Sequence, residues 1–362
     1  MNKRIMVVGP QSEQTGGVVT FQRNLMIHSS LKERWSFVPY NISRPPKKQA
    51  SAHHYKSILQ QDPKRLFRSL NITAQNFLRF APAVRNVALA QIQSSDYYAF
   101  WEASYYMLVA KQLGIPVCVR FGGIFNNFYE QSSSKTQQLI RWVLSKPDGI
   151  VVQSEQWKSY FSKLTDPARL HIIGNAIPKQ QKIDRSGRTK RCKVLFVCGP
   201  ESKRKGLFEL LPAIEGLDLE LMIVAANEEA HAEVQRRQLT NVQLIDHVSR
   251  ETLRKELYPE ADVFVIPSHG EGFPNSMLEA MGASLPIVAT PVGAIPEVIQ
   301  DGVQGFIAPL GSIDALRAAL TKLSSDKNLR LKMGEAAWSK AMNEYELNTM
   351  FSRFEDLWMR FI

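Results

Sequence analysis

At 362 residues, 44% of them hydrophobic and 22% charged, the chain exceeds a single typical core and has the make-up of a globular protein with two domains. Its net charge of +11 is unevenly placed: residues 1–185 hold 25 Lys and Arg against 10 Asp and Glu, whereas residues 186–362 hold 20 against 24. No apolar run reaches the eighteen or so residues that a spanning helix needs, and Cys118, Cys192 and Cys198 lack zinc-ligand spacing. Spanning segments and a structural zinc site are thereby excluded, and a reducing, cytoplasmic setting is expected.

In chain order, apolar runs predict strands at Arg4–Val8, Ser36–Tyr40, Ala88–Gln91, Val117–Phe121, Gly149–Val152 and His171–Ile173, with helical patterns between several of them. The short run after Lys3-Arg4 is expected to be a first strand rather than a signal peptide. Asn175 to Lys190 is polar, basic and poor in large apolar side chains, which marks an interdomain linker. Strands resume at Lys193–Cys198, Glu220–Val224, Val242–Ile245, Val263–Ile266, Ile287–Ala289 and Gly305–Ala308. This alternation predicts an α/β protein of two doubly wound parallel sheets. At the end, Leu347, Met350, Phe351, Phe354, Leu357, Trp358 and Phe361 recur at helical spacing and form one wide apolar stripe. Its polar face has no basic excess, so core packing is expected rather than a membrane-surface helix.

The segment Pro267 to Gly282 carries the most chemistry. A buried strand ends at Pro267, Gly270 and Gly272 allow a tight turn, and Pro274-Asn275 opens a helix that runs through Met281. Glu271 then sits in the turn and Glu279 about two turns down the helix. The N–H groups of Phe273, Pro274-Asn275 and Ser276 lie at the helix N-terminus, Pro274 itself having none, and free donors there favour a bound anion such as a diphosphate. One carboxylate is left for sugar hydroxyls and one for ribose hydroxyls.

Together with Pro286-Ile287-Val288-Ala289-Thr290 and Gly293-Ala294-Ile295-Pro296-Glu297, this stretch resembles the nucleotide-sugar site of retaining GT-B glycosyltransferases, above all family four, the glycosyl transferases group 1 type. The resemblance implies a GT-B fold, two Rossmann-like doubly wound domains facing a cleft. Residues 1–178 would form an acceptor-binding domain, 179–191 the linker, 192–343 a nucleotide-sugar domain, and 344–362 a helix crossing back to the first domain. It further implies that Glu271 orients the donor sugar, Glu279 holds the ribose, and Gly272, Phe273, Pro274, Asn275 and Ser276 meet the diphosphate. His269 enters the site or serves the turn.

Three other places are similar to the family. Gly16-Gly17, after the first strand and before a helix, suits close approach of a phosphate or acceptor. Lys205-Gly206 matches the family's Lys-Gly loop, whose cations hold the leaving diphosphate. The family arginine six positions earlier is replaced by Gly199, so Lys203 or Arg204 is expected to supply that charge. The segment around Arg120, Gly122, Gly123 and Asn126 aligns with an acceptor-side strand end. The family histidine is missing at Gly122, while Arg120 is either a phosphate or acceptor contact or the partner of a carboxylate. His247 and Val248, after Val242–Ile245, correspond to the base-binding segment.

These roles imply a metal-independent hexosyltransferase with no cofactor, since no Asp-x-Asp occurs in the sequence and cationic side chains take the metal's part. Expected partners are a nucleotide-diphosphate sugar and a glycan or polyprenyl-pyrophosphate-linked acceptor, with no nucleic acid. The cluster Arg44, Lys47, Lys48, Lys56, Lys64, Arg65 and Arg68 suits an anionic membrane surface or a solvated loop and helix face, and would place the protein peripherally on the inner face of the cytoplasmic membrane. A GT-B epimerase, or a non-catalytic nucleotide-sugar- or nucleic-acid-binding protein, is the alternative.

Overall fold

The computed structural model describes residues 3–11, 17–27, 30–43, 63–123, 125–188 and 191–362. They form two compact units, Met1–Gly174 with Leu347–Ile362, and Asn175–Glu346. The first contains β1 (Lys3–Gly9), β2 (Trp35–Asn41), β3 (Leu89–Ser94), β4 (Val117–Phe121), β5 (Gly149–Val152) and β6 (Leu170–Ile172). The second contains β7 (Cys192–Val197), β8 (Leu219–Val224), β9 (Val242–Ile245), β10 (Val263–Ile266), β11 (Ile287–Ala289) and β12 (Gly305–Ile307). Every pairing is parallel, in the orders β2-β1-β3-β4-β5-β6 and β12-β11-β10-β7-β8-β9. The inner strands β4, β5, β10 and β11 are buried along their whole length because helices cover both faces.

Strand positions follow the apolar runs with one informative difference. β3 runs on to Ser94 rather than stopping at Gln91, with Gln93 paired to Arg120 and Ser94 to Phe121. Its last polar residues are buried, Gln93 donating to the Arg120 carbonyl at 3.0 Å, so hydropathy hides the end of the strand.

The domain boundaries also shift. Residues 175–178 and 344–346 fall in the second unit: Ile177 is fully buried in its core and bridges Glu346, and Asn175 Nδ2 donates to the Phe273 carbonyl at 2.8 Å. The polar stretch after them is docked rather than free. Arg185, 6% exposed, donates to the carbonyls of Tyr258 and Ala261 at 2.8 Å and of Ala283 at 2.6 Å. Burial lowers its pKa to about 10. A cavity of about 190 Å³ lies against this stretch, lined by Arg185, Arg188, Asp262, Lys327 and Arg330 among others. Asp262 immediately precedes β10, so this cavity sits at the opposite end of that strand from the Pro267 turn.

The helix Leu347–Trp358 belongs to the first unit and buries its apolar stripe there. Trp358 Nε1 donates to Gln91 Oε1 at 3.0 Å, Trp35 Nε1 donates to Glu355 Oε1 at 2.8 Å, and the Phe354 ring lies 5.2 Å from that of Phe21. Among the described residues no helix is long and apolar enough to cross a membrane.

Candidate functional site

In the second sheet β7 and β10 are hydrogen-bonded neighbours although β8 and β9 lie between them in sequence, so the chain order reverses between them. Loops leaving the carboxyl ends of two such strands diverge around a crevice, the place where open α/β sheets bind ligands. The loop after β7 contains the short helix Ser202–Lys205, and the loop after β10 leads into the helix Asn275–Gly282. The two loops are tied together by His269 N–H donating to the Arg204 carbonyl at 2.7 Å. Gly206 makes the approach possible: its φ is +80°, and a Cβ there would lie 2.0 Å from the Pro267 carbonyl oxygen. Gly293 serves the same purpose behind the turn, where a Cβ would lie 2.2 Å from the Glu271 carbonyl oxygen.

Three sequence-predicted residues, Lys205, Arg204 and Glu271, meet here. Lys205 Nζ donates to Glu271 Oε1 at 2.7 Å, Ser268 Oγ donates to the same oxygen at 2.8 Å, and Arg204 Nη1 stands 3.8 Å from it. Arg204 also donates to the Gly270 carbonyl and is held by Glu201. Lys203 is exposed, so of the two candidates it is Arg204 that reaches Glu271. The helix Asn275–Gly282 begins at Pro274 with no side-chain cap and no acidic residue in its first turn, which leaves N–H groups and the positive end of its dipole for an anion. Gly272 accepts from Ala294 N–H through its carbonyl, and Phe273 is buried with its ring 5.7 Å from Tyr345. Asn275 and Ser276 are half-buried.

Glu279 lies on that helix, 3% exposed, and is not alone. Its Oε1 accepts from Arg250 Nε at 2.6 Å and from Arg254 Nε and Nη2 at 2.9 and 2.6 Å, while the Tyr258 hydroxyl stands 3.4 Å from Oε2. Burial raises the Tyr258 pKa well above its ordinary value and keeps its proton available for donation. Sequence reasoning missed both arginines and Ser268. The usable signal was the i, i+4 spacing of Arg250 and Arg254 after Ser249, whose side chain caps Thr252 N–H.

Other expected residues lie elsewhere. His269 is exposed and its Nε2 is 2.9 Å from Glu209 Oε1, a hydrogen-bond partner on the neighbouring helix. His247 is exposed and Val248 packs partly against the core. Arg120, Gly122, Gly123 and Asn126 belong to the first unit. Arg120 is 1% exposed, 4.2 Å over the Phe21 ring and 3.4 Å from Gln93 Oε1, and burial lowers its pKa to about 9. Gly122 N–H donates to Ser94, and Gly123 has a φ of +82°. Asn126 is half-buried. Gly16 lies outside the described residues and Gly17 opens the helix Gly17–Ile27. Of the basic cluster, Arg44, Lys47, Lys48 and Lys56 lie outside them too. Lys64, Arg65 and Arg68 are placed by backbone alone, on the helix Pro63–Val84.

The three cysteines are free and buried. Burial pushes the thiols of Cys118 and Cys198 up, and that of Cys192 to about 12, which makes them inert core residues.

Two parallel six-stranded sheets with an ionic loop cluster at the switch point of the second define the GT-B fold, that of nucleotide-sugar glycosyltransferases. Solved structures agree over the whole chain: sucrose-phosphate synthase from Thermosynechococcus elongatus (TM-score 0.75, 17% identity, 99% of both chains) and Anabaena HepE in complex with UDP and glucose (TM-score 0.75, 15% identity, 99% of this chain and 100% of that one).

The family resemblance is found in the second unit, where residues 191–326 match the sequence model of glycosyl transferases group 1. The chain is 27% identical over 179 residues to the capsular polysaccharide biosynthesis glycosyltransferase CapM of Staphylococcus aureus, covering 47% of this chain and 46% of that protein. It is 30% identical over 186 residues to phosphatidyl-myo-inositol mannosyltransferase of Mycobacterium leprae, covering 49% and 48%. The match thus spans about half the length of each relative.

Proposed function

We propose that this protein is a glycosyltransferase that moves a hexose or N-acetylhexosamine from a nucleoside-diphosphate sugar to a glycan or lipid-linked acceptor, with retention of anomeric configuration and without a divalent metal. The observation that carries the reading is the 2.7 Å contact of Lys205 with Glu271 beside an uncapped helix N-terminus. In a nucleotide sugar the ring and the β-phosphate share one oxygen, so a cation for the phosphate and a carboxylate for the sugar hydroxyls must be neighbours.

As the glycosidic bond to that oxygen breaks, negative charge grows on the β-phosphate and positive charge on the ring. Lys205, Arg204 and the N–H groups at the start of Asn275–Gly282 oppose the first. Glu271 orients the sugar through its hydroxyls, and Glu279 holds the ribose. The first unit takes the acceptor, which enters on the face the diphosphate leaves. The Anabaena protein, solved in complex with UDP and glucose, and the capsular polysaccharide role of the Staphylococcus relative favour a nucleotide sugar and cell-surface glycan assembly.

The test is transfer from a panel of UDP- and GDP-sugars in excess chelator, with the product anomer read from coupling constants. Retained configuration and undiminished rate are expected; an inverted product, or activity restored only by magnesium, overturns the reading. The excess of Lys and Arg over Asp and Glu in residues 1–185 supports a peripheral position on an anionic membrane that presents a polyprenyl-pyrophosphate acceptor. Co-sedimentation with vesicles should then rise with anionic lipid content and fall at about 1 M salt, where the Debye length is about 3 Å; binding that ignores lipid charge removes the membrane from the proposal.

A further inference from the structure

Glu279 has more cationic partners than a carboxylate needs. Arg250 and Arg254 both address Oε1, at distances from 2.5 to 2.9 Å, and none of these contacts is made to Oε2. Each carboxylate oxygen has about two acceptor directions, so three N–H donors exceed what Oε1 offers, while among the described residues Oε2 has only the Tyr258 hydroxyl, at 3.4 Å. The two arginines come from consecutive turns. The stretch Arg250–Thr252 continues into a π-helical turn at Leu253–Leu257, a form that is rare and costs hydrogen-bond geometry. Tyr258 follows directly, so one short segment delivers all three groups to one side chain.

Such a set fixes a carboxylate in direction as well as in charge. A guanidinium donating through Nε and Nη2, as Arg254 does, holds a plane, and a second guanidinium on the same oxygen removes the remaining rotation about the Glu279 side chain. At 3% exposure, water contributes little to that orientation.

We infer that Arg250 and Arg254 are positioning residues for the nucleoside end of the donor: they hold Glu279 through Oε1 so that Oε2 accepts a hydrogen bond from a ribose hydroxyl. The inference rests on the proposed function, because it takes the ribose to be the group Glu279 meets. Its consequence is that discrimination between a ribonucleotide and one lacking the ribose hydroxyls depends on the arginines, although neither donates to the ribose.

Calorimetric titration of the full chain with UDP, GDP and their 2′,3′-dideoxy forms tests this. Wild type should prefer the ribonucleotide of whichever base it binds by about tenfold or more, the size expected for a hydrogen bond to a charged group. Arg250→Gln/Arg254→Gln should lower that preference to about twofold or less, as should Glu279→Gln. Arg250→Lys/Arg254→Lys should recover part of it, because the charge returns without the planar fork. Thermal denaturation establishes which variants are folded, and if the double Gln variant is not, the single variants Arg250→Gln and Arg254→Gln carry the comparison. A folded arginine variant that keeps the full ribose preference while Glu279→Gln loses it overturns the positioning role and leaves the transferase reading intact. Wild type that binds neither UDP nor GDP overturns the transferase reading, and the inference with it.

Discussion

The two sheets share one architecture and treat their polar residues in opposite ways. At the carboxyl ends of β7, β9 and β10 the side chains are ionic and matched: Lys205 with Glu271, and Arg250 and Arg254, on the segment after β9, with Glu279. At the corresponding ends of β3, β4 and β5 the buried polar residues are Gln93, Ser94, Gln153 and Ser154, with Arg120 as the charged member of the group. Amides and hydroxyls can both donate and accept, so they can meet a sugar, whereas a paired cation and carboxylate suit a ligand carrying a diphosphate and hydroxyls side by side. A shared fold class leaves the ligand open, and the chemistry placed at the strand ends is what distinguishes the two units.

The closeness of the loops at the second switch point offers the strongest way to break that contrast. Gly206→Ala puts a Cβ 2.0 Å from the Pro267 carbonyl oxygen at a φ of +80°, whereas at Gly123 in the first unit, φ +82°, the nearest atom to an added Cβ is Ser95 Cβ at 3.6 Å. Left-handed strain alone costs about 1–2 kcal/mol at either position, and the clash adds to it only at Gly206. Urea unfolding should show Gly206→Ala the more destabilised of the two; equal losses would mean that the loops of the second unit are no more tightly set than those of the first.

The next largest effect separates binding charge from structural charge. Lys205→Ala should weaken UDP or GDP by about 1.5–3 kcal/mol, the worth of a charged hydrogen bond. Arg120→Met should leave nucleotide affinity unchanged, because an apolar replacement for a buried cation acts on stability. Titration calorimetry of both variants decides, and nucleotide affinity that falls with Arg120→Met would place diphosphate chemistry in the first unit as well.

The smallest effect concerns charge in the second unit on the helix Glu228–Arg236. The hydrogen bond from Arg236, followed by that from Arg237, holds the Glu233 carboxyl at about 2, below its ordinary 4.5. A depressed carboxyl stabilises the fold above its unfolded pKa, and that contribution fades as pH falls from 4.5 through 2. Arg236 is 64% exposed, so solvent screening keeps the effect small. Wild type should lose slightly more stability than Glu233→Gln across that window and match its slope at neutral pH.

Much of the fold was legible because buried parallel strands are written as apolar runs, and each of the twelve strands among the described residues lies on one of them. The Pro267–Gly282 motif was legible for a related reason: glycine, proline and glutamate at fixed offsets describe a turn, a helix start and two carboxylates without any tertiary information. The partners of those carboxylates were not. Arg250 lies 29 positions before Glu279, and although its i, i+4 spacing to Arg254 puts both on one helix face, nothing local says what that face meets. The polar end of β3 and the docked Arg185 were hidden for one physical reason. Their polar atoms are paid for by carbonyls that only the folded chain brings near, as when Arg185 meets Tyr258, Ala261 and Ala283.

The helix Leu347–Trp358 gives the order of synthesis a bearing on folding. The first unit is begun first and closed last, since Trp358 covers Gln91, and the Phe361 ring lies 3.0 Å from where a Cβ on Gly149 would sit. At a translation rate of about 5–20 residues per second, the 172 residues from Asn175 to Glu346 take roughly ten to thirty seconds to emerge. Throughout that interval Phe21, Trp35 and Gln91 lack their cover, while the uninterrupted second unit can assemble as soon as it leaves the ribosome. The nascent chain therefore exposes an aromatic seam for much longer than either sheet needs to form, and a holdase that binds such seams would act on the half of the protein that was made first.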